Sequence, residues 1–242
     1  MIKFVVITKN SARWFGVILD HYRLLGVEPF IILDDTSQDQ TELLLRQKGV
    51  DYAKARADAP RVEALVKSIP LLVRSDWVIR LDDDELPAGW LCAWAALQAR
   101  RTDVIVVGFE RRCIRLRVDG QLDYSNHPLI VSPEGVLDAQ WRMFRPDKVQ
   151  FRSDIHTPGF YVPKGSIIAP RRAYIAHFSW LIRSVLERRQ QIDDYDGQAP
   201  LAGTRFGALK VWEDVDEQDH RFAPMERQEF DETAAELART VS

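Results

Sequence analysis

The first 85 or so residues alternate between short apolar runs and segments with helical spacing. "IKFVVIT" is β-branched and free of polar alternation, the pattern of a strand covered on both faces. "WFGVILDHYRLLGV" follows with Trp14, Ile18, Tyr22 and Leu25 at helical intervals. "PFIILDD" predicts a second buried strand. In "SQDQTELLLRQKG" Asp39 and Glu42 stand at the spacing of a capping box and Gly49 supplies a stop. "VDYAKA" predicts a third strand. Val62, Leu65, Val66, Ile69 and Leu72 then form one helical stripe over Arg61 to Val73, which Pro70 must kink or divide. "DWVIRL" is a fourth strand. Strands alternating with short helices imply an α/β fold with a parallel, doubly wound central sheet, flanked by helices and joined by right-handed crossovers.

The rhythm changes after residue 85. "AGWLCAWAALQARR" reads as an amphipathic helix and "TDVIVVGFERR" as a strand. Residues 111 to 178 are punctuated by Pro and Arg, with strand-like runs such as "WRMFR" and "FYVP". "SWLIRSVLERRQQIDDYD" predicts a helix, and the charged tail holds a weak last one near Arg227 to Arg239. The expected organisation is one domain over residues 1–212, with halves 1–87 and 88–212, followed by a charged C-terminal tail over 213–242.

Composition narrows the partners. The chain has 242 residues, 46% of them hydrophobic, which suits a globular protein with a real core. Its 33 basic and 36 acidic residues leave a net charge of −3, so no general attraction to nucleic acid or anionic membrane is expected. Cys92 and Cys113 lie in apolar stretches and form no CxxC pair, which argues for buried free thiols in a reducing compartment. "MIKFVVITKN" has neither a basic n-region nor a cleavage site, and no window reaches the roughly 18 apolar residues of a membrane span. The expectation is a cytoplasmic protein without a transmembrane segment, with peripheral membrane association left open.

The candidate chemistry is acidic. Asp82, Asp83, Asp84 and Glu85 follow one another at the end of the fourth strand, and Asp34 with Asp35 ends the second. In open α/β sheets ligands bind beyond the carboxyl ends of the strands, so both clusters would face one crevice. Adjacent carboxylates are costly unless something positive joins them, and Asp82 and Asp84, as alternate residues, could reach one hard cation such as Mg²⁺ or Mn²⁺. The plainer alternative is a solvated acidic turn in which Asp83 and Glu85 serve the N-terminus of the next helix. No GxGxxG or GxxxxGK[ST] loop is present to cradle phosphates, so a nucleotide site would need a metal.

In this order and spacing, "VVITKNSARW", "IILDDTSQDQT" and "DWVIRLDDDELP" resemble the opening half of the GT-A-fold glycosyltransferases of the family 2 type. The matching signatures are a TxxN-like first turn, a DDxSxDxT second turn and a DxD motif ending in DADE-like form. "WRMFRPDKVQFRSDIHTPGF" and "YIAHFSWLIRSVLERR" are similar to the RLFR…IHE and HY…S segments of a bacterial branch, so the resemblance runs to about residue 190.

The resemblance implies an inverting, metal-dependent transfer of a sugar, of hexosyltransferase type, from a nucleotide-diphosphate donor, a UDP-sugar, to a saccharide or glycolipid acceptor in polysaccharide biosynthesis. Thr8, Asn10, Asp34 and Asp35 would contact base and ribose, Arg61 the donor phosphates, and Asp82 and Asp83 the donor. Asp82 and Asp84 would hold Mn²⁺ or Mg²⁺, and His177 would complete the shell, a nitrogen ligand that favours Mn²⁺. Thr157 stands where the family carries Glu after His156, which leaves Asp154 as the candidate base, with Glu85 on the acceptor side or capping the next helix. Each residue has a structural alternative. Asp34 or Asp35 can close an Asx turn, His177 can pack among Tyr174, Phe178 and Trp180, and Asp154 can pair with Arg152 or Arg145. Trp141, Trp180 and Trp212 could stack on sugar rings or pack in the core. Two other functions fit the same residues: a catalytically silent nucleotide-sugar-binding domain, and a metal-dependent phosphoester hydrolase or nucleotidyltransferase.

Overall fold

A computed structural model describes residues 1–57, 62–116, 122–125, 139–152, 158–184, 186–190, 193, 222–224, 230, 233, 235–237 and 239. Its elements begin β1 (Ile2–Thr8), α1 (Ala12–Leu24), β2 (Phe30–Asp34), α2 (Thr41–Lys48) and β3 (Tyr52–Ala55). A 3₁₀ segment (Val62–Ser68) leads into α3 (Ile69–Leu72), then β4 (Trp77–Asp82), β5 (Glu85–Pro87) and α4 (Gly89–Gln98). The later elements are β6 (Val106–Leu116), β7 (Leu122–Ser125), β8 (Ala139–Phe144), β9 (Ile167–Ile168), β10 (Tyr174–His177), α5 (Ser179–Ile182) and β11 (Phe222–Pro224).

The chain forms two compact units, Met1–Arg111 with Ala139–Ala176, and Arg112–Asp138 with His177–Ser242. In the first, the sheet runs β6-β8-β4-β1-β2-β3. Its four earliest strands are parallel: β1 pairs with β2 and β4, and β2 with β3. This is the arrangement that alternating buried strands and short helices dictate. β8 then enters antiparallel to both β4 and β6, so the later half of the sheet departs from the parallel pattern. Within the second unit, β7 joins the end of β6 and β11 joins β7, both antiparallel.

Packing follows the sequence pattern closely in the first unit. Val5, Ile7, Ile32 and Val78 gather with Leu65, Val66, Ile69, Phe144 and Phe160 in one buried cluster. The helical stripe from residue 62 is divided, as Pro70 requires: the 3₁₀ turn ends at Ser68 and α3 restarts with proline in its first turn, where the missing N–H has no intrahelical partner to lose. Gly49 ends α2 in the left-handed conformation (φ 64°). Gly159 has φ +87° and lies so close to Val66 that a Cβ would come within 2.7 Å of its side chain.

Two expectations need correction. Asp39 and Glu42 form no capping box: Gln40 is the N-cap, and Glu42 turns outward to Arg46, Lys54 and Tyr52. The helix expected from Ser179 is interrupted after one turn, where Arg183 is extended (φ −119°, ψ 130°), and residues 186–190 are helical again after Ser184 and Glu187 exchange amide-to-side-chain hydrogen bonds. Cys92 and Cys113 form no disulfide; Cys113 is buried as expected and Cys92 is half-buried. Among the described residues no helix is long and apolar enough to cross a membrane.

Candidate functional site

The strand order 4-1-2-3 means that the chain leaves β1 in one direction to form β2 and returns on its other side to form β4. Register places Ile7 beside Asp82 and Thr8 beside Leu33, so the carboxyl ends of β1, β2 and β4 share one edge. This is a topological switch point, where open α/β sheets leave a crevice. The acids at the ends of β2 and β4 are therefore brought to the same edge.

The acidic run is not one continuous strand. Asp82 ends β4, Asp83 and Asp84 form a turn, and Glu85 begins β5, so Asp82 and Asp84 do not share a strand face by alternation. Arginines answer the electrostatic problem of four adjacent acids. Asp82 Oδ1 lies 2.6 Å from Arg80 Nη2, and Oδ2 accepts from Arg142 Nη2 at 2.6 Å. The same Nη2 donates to Glu85 Oε1 at 2.8 Å, with Arg111 Nη1 3.7 Å from that oxygen. Glu85 Oε2 accepts from the Asp82 amide at 3.0 Å, and Glu85 has no exposed surface. The N-cap of α4 is Ala88, which has no side-chain bond, and Glu85 closes the turn through the Asp82 amide.

Thr8 ties β1 to this turn, its buried hydroxyl donating to Asp83 Oδ2 at 2.8 Å and sharing a hydrogen bond with Ser11. The Ser11 amide donates to Thr41 Oγ1 at 2.9 Å, and Asp39 accepts from the Thr41 amide at 3.0 Å and the Ala12 amide at 2.9 Å. One carboxylate thus joins the starts of α1 and α2. Burial raises the Asp39 pKa, but the hydrogen bonds from Thr41 and Ala12 outweigh it and hold the carboxyl below its ordinary value. Asn10 adopts φ 51°, a conformation asparagine tolerates, and its Oδ1 accepts from the Gln38 amide at 2.7 Å, linking the loops after β1 and β2.

Of the two aspartates at the end of β2, Asp34 closes an Asx turn. It is buried, and its Oδ1 accepts from the amide and hydroxyl of Thr36 at 2.8 and 2.6 Å, with Lys9 Nζ 3.6 Å from Oδ2. The Asp35 side chain is exposed at the same strand end. Below the turn, Tyr22 donates to the Glu85 carbonyl at 3.3 Å. Burial first, and then the charge of Glu85, push its phenol well above the ordinary value.

His177 ends β10 with Nδ1 3.4 Å from Cys113 Sγ. Trp141 packs against the buried cluster and Trp180 is half-buried. Arg61, Asp154, His156, Thr157 and Trp212 lie outside the described residues. Arg80, Arg111 and Arg142 were not singled out from sequence. The one legible signal was a charge inside an otherwise apolar strand, in "WVIRL" and again in "WRMF", which demands a buried partner.

Among the described residues no group of three or more His, Cys, Asp or Glu side chains gathers to hold a metal ion. Each oxygen of Asp82 already meets a guanidinium, so a cation there would share both oxygens with arginines. Asp84 sits in the turn with 5% of its surface exposed, a hard oxygen ligand of the kind Mg²⁺ and Mn²⁺ take.

No family model matches the chain, and no curated protein does. Among solved structures it is similar to S. aureus TarS (residues 1–349), with 13% identity, 89% of this chain and 75% of that chain covered, and a TM-score of 0.50. A mycobacterial protein is matched at 18% identity over 47% of this chain and 41% of that one, with a TM-score of 0.41. The glucosyl-3-phosphoglycerate synthase from Mycobacterium tuberculosis, solved with Mn²⁺, UDP-glucose and phosphoglyceric acid, is matched at 15% identity over 46% of this chain, with a TM-score of 0.38. The chain spans 44% of that synthase, less than half its length. The sheet, its flanking helices and the likeness to TarS show the GT-A fold.

Proposed function

We propose that the chain is a glycosyltransferase that moves a sugar from a nucleotide-diphosphate donor, with a UDP-sugar as the first candidate, to a saccharide or glycolipid acceptor with inversion. The observation that carries this reading is the edge where Asp35, Thr8 and the Asp82–Glu85 run meet at the switch point of a GT-A sheet. The exposed carboxylate of Asp35 suits the N–H of a uracil-like base, while buried Asp34 and Asn10 keep the two loops in place. Thr8 and Asp83 fix β1 against the acidic turn, and Asp84 is the residue that would hold Mn²⁺ or Mg²⁺. When bound, that cation supplies positive charge to the departing diphosphate. His177 as a further ligand, Arg61 on the phosphates and Asp154 as base belong to the same proposal, on the strength of the sequence resemblance alone.

The test is release of nucleoside diphosphate that depends on both a sugar nucleotide and Mn²⁺ or Mg²⁺. Asp154→Asn should abolish that release and leave donor affinity intact. Cleavage of a simple phosphodiester with no preference for sugar nucleotides would replace this reading with a hydrolase.

A further inference from the structure

The Asp82–Glu85 turn is closed from outside its own segment. Arg142 stands on β8, 60 residues from Asp82 and 57 from Glu85, and a single nitrogen, Nη2, donates to both. The two carboxylates it joins are the first and last residues of the turn. Glu85 Oε2 accepts from the Asp82 amide, so the same two residues are also tied backbone to side chain. Arg142 is 4% exposed and Arg80, which takes the other oxygen of Asp82, is 3% exposed, so both guanidiniums are shielded from water, while the Asp82 side chain they meet is 32% exposed. Without Arg142 the carboxylates of Asp82 and Glu85 would remain close as like charges with one guanidinium fewer between them, and their repulsion would open the turn.

We propose that Arg142 is a positioning residue: its guanidinium staples the two ends of the turn, and so fixes the Asp83–Asp84 tip against Thr8 before any ligand arrives. The consequence for ligand binding rests on the donor-site reading; the hold on the turn does not. The acidic run is thereby divided in role. Asp82 and Glu85, neutralised by arginines, hold its two ends, while Asp83 and Asp84 are buried, 8% and 5% exposed, with Asp83 anchored on Thr8.

Arg142→Met and Arg142→Lys test this by two measurements. Hydrogen exchange followed by mass spectrometry over residues 77–90 reads the turn, and calorimetric titration with UDP and Mn²⁺ reads the ligand. In Arg142→Met, exchange at the turn amides should rise at least about tenfold while β1 and β2 stay protected, and UDP affinity should fall about 10- to 100-fold, the usual consequence of losing an outer-shell partner. Arg142→Lys, with a charge on a shorter stem, should lie between Met and wild type in both. Turn exchange unchanged in Arg142→Met overturns the staple. A loosened turn with unchanged UDP affinity overturns its bearing on the ligand. If Arg142→Met does not fold, wild-type exchange and affinity in Arg142→Lys overturn the proposal equally. If the wild-type protein itself binds no UDP, the donor-site reading fails, and the exchange measurement still decides whether Arg142 holds the turn.

Discussion

Glu85 separates a structural account of the acidic turn from a chemical one. As an acceptor-side catalytic group it would need access to substrate, but it has no exposed surface, and its two oxygens meet Arg142 at 2.8 Å and the Asp82 amide at 3.0 Å. Glu85→Gln keeps the shape and an acceptor for the Asp82 amide, and removes the charge opposite a guanidinium that is itself buried. Removing one partner of a buried pair costs about 3–5 kcal/mol, because the remaining charge is left desolvated. Arg142 keeps Asp82 Oδ2, so the lower end applies, about 3 kcal/mol. With a urea slope of about 2–3 kcal/mol/M, the midpoint should fall by roughly 1 M or more with the slope unchanged. An unshifted midpoint together with lost turnover would refute the argument and restore Glu85 as a catalytic group.

Three further outcomes follow from the same structure. Gly159→Ala should destabilise by about 2–4 kcal/mol in urea, since it forces a Cβ onto a φ of +87° and within 2.7 Å of Val66. Asp34→Ala should lower the melting temperature by removing the Asx turn and leaving Thr36 unanswered, whereas Asp35→Asn should leave it unchanged and weaken UDP binding. Hydrogen bonds from Lys54 and then Arg46 hold the Glu42 carboxyl down from 4.5 to about 2, so its contribution is present above pH 4.5 and is lost as pH falls toward 2. Glu42→Gln should therefore flatten the melting temperature against pH in that window. A variant that keeps the wild-type acid slope would contradict it.

The parallel strands and their ends were legible because each is a short β-branched run bounded by a turn signal, and a strand covered on both faces leaves little ambiguity. "IKFVVIT", "FIILD" and "WVIRLD" appear as β1, β2 and β4. The acids were legible as a cluster, but their partners were not. Arg142 and Arg111 reach Glu85 from β8 and β6, strands whose neighbours are set by antiparallel pairing that no local pattern encodes. That gap is why the sequence offers only a cation or a solvated turn to ease the cluster, when arginines already neutralise two of the acids. Alternation failed at Asp83 for a related reason: the strand ends one residue earlier, so the spacing of Asp82 and Asp84 carries no shared face. Asp34 and Asp35 looked interchangeable in sequence, and only the Thr36 contacts distinguish the buried turn-former from its exposed neighbour.

The most direct measurement is a crystal structure of the protein grown with UDP-glucose and Mn²⁺. The account predicts density for the nucleotide along the edge formed by Thr8, Asp35 and the Asp83–Asp84 turn, with the diphosphate at Asp84. Nucleotide bound elsewhere on the chain, or an empty edge at saturating concentration, would contradict it.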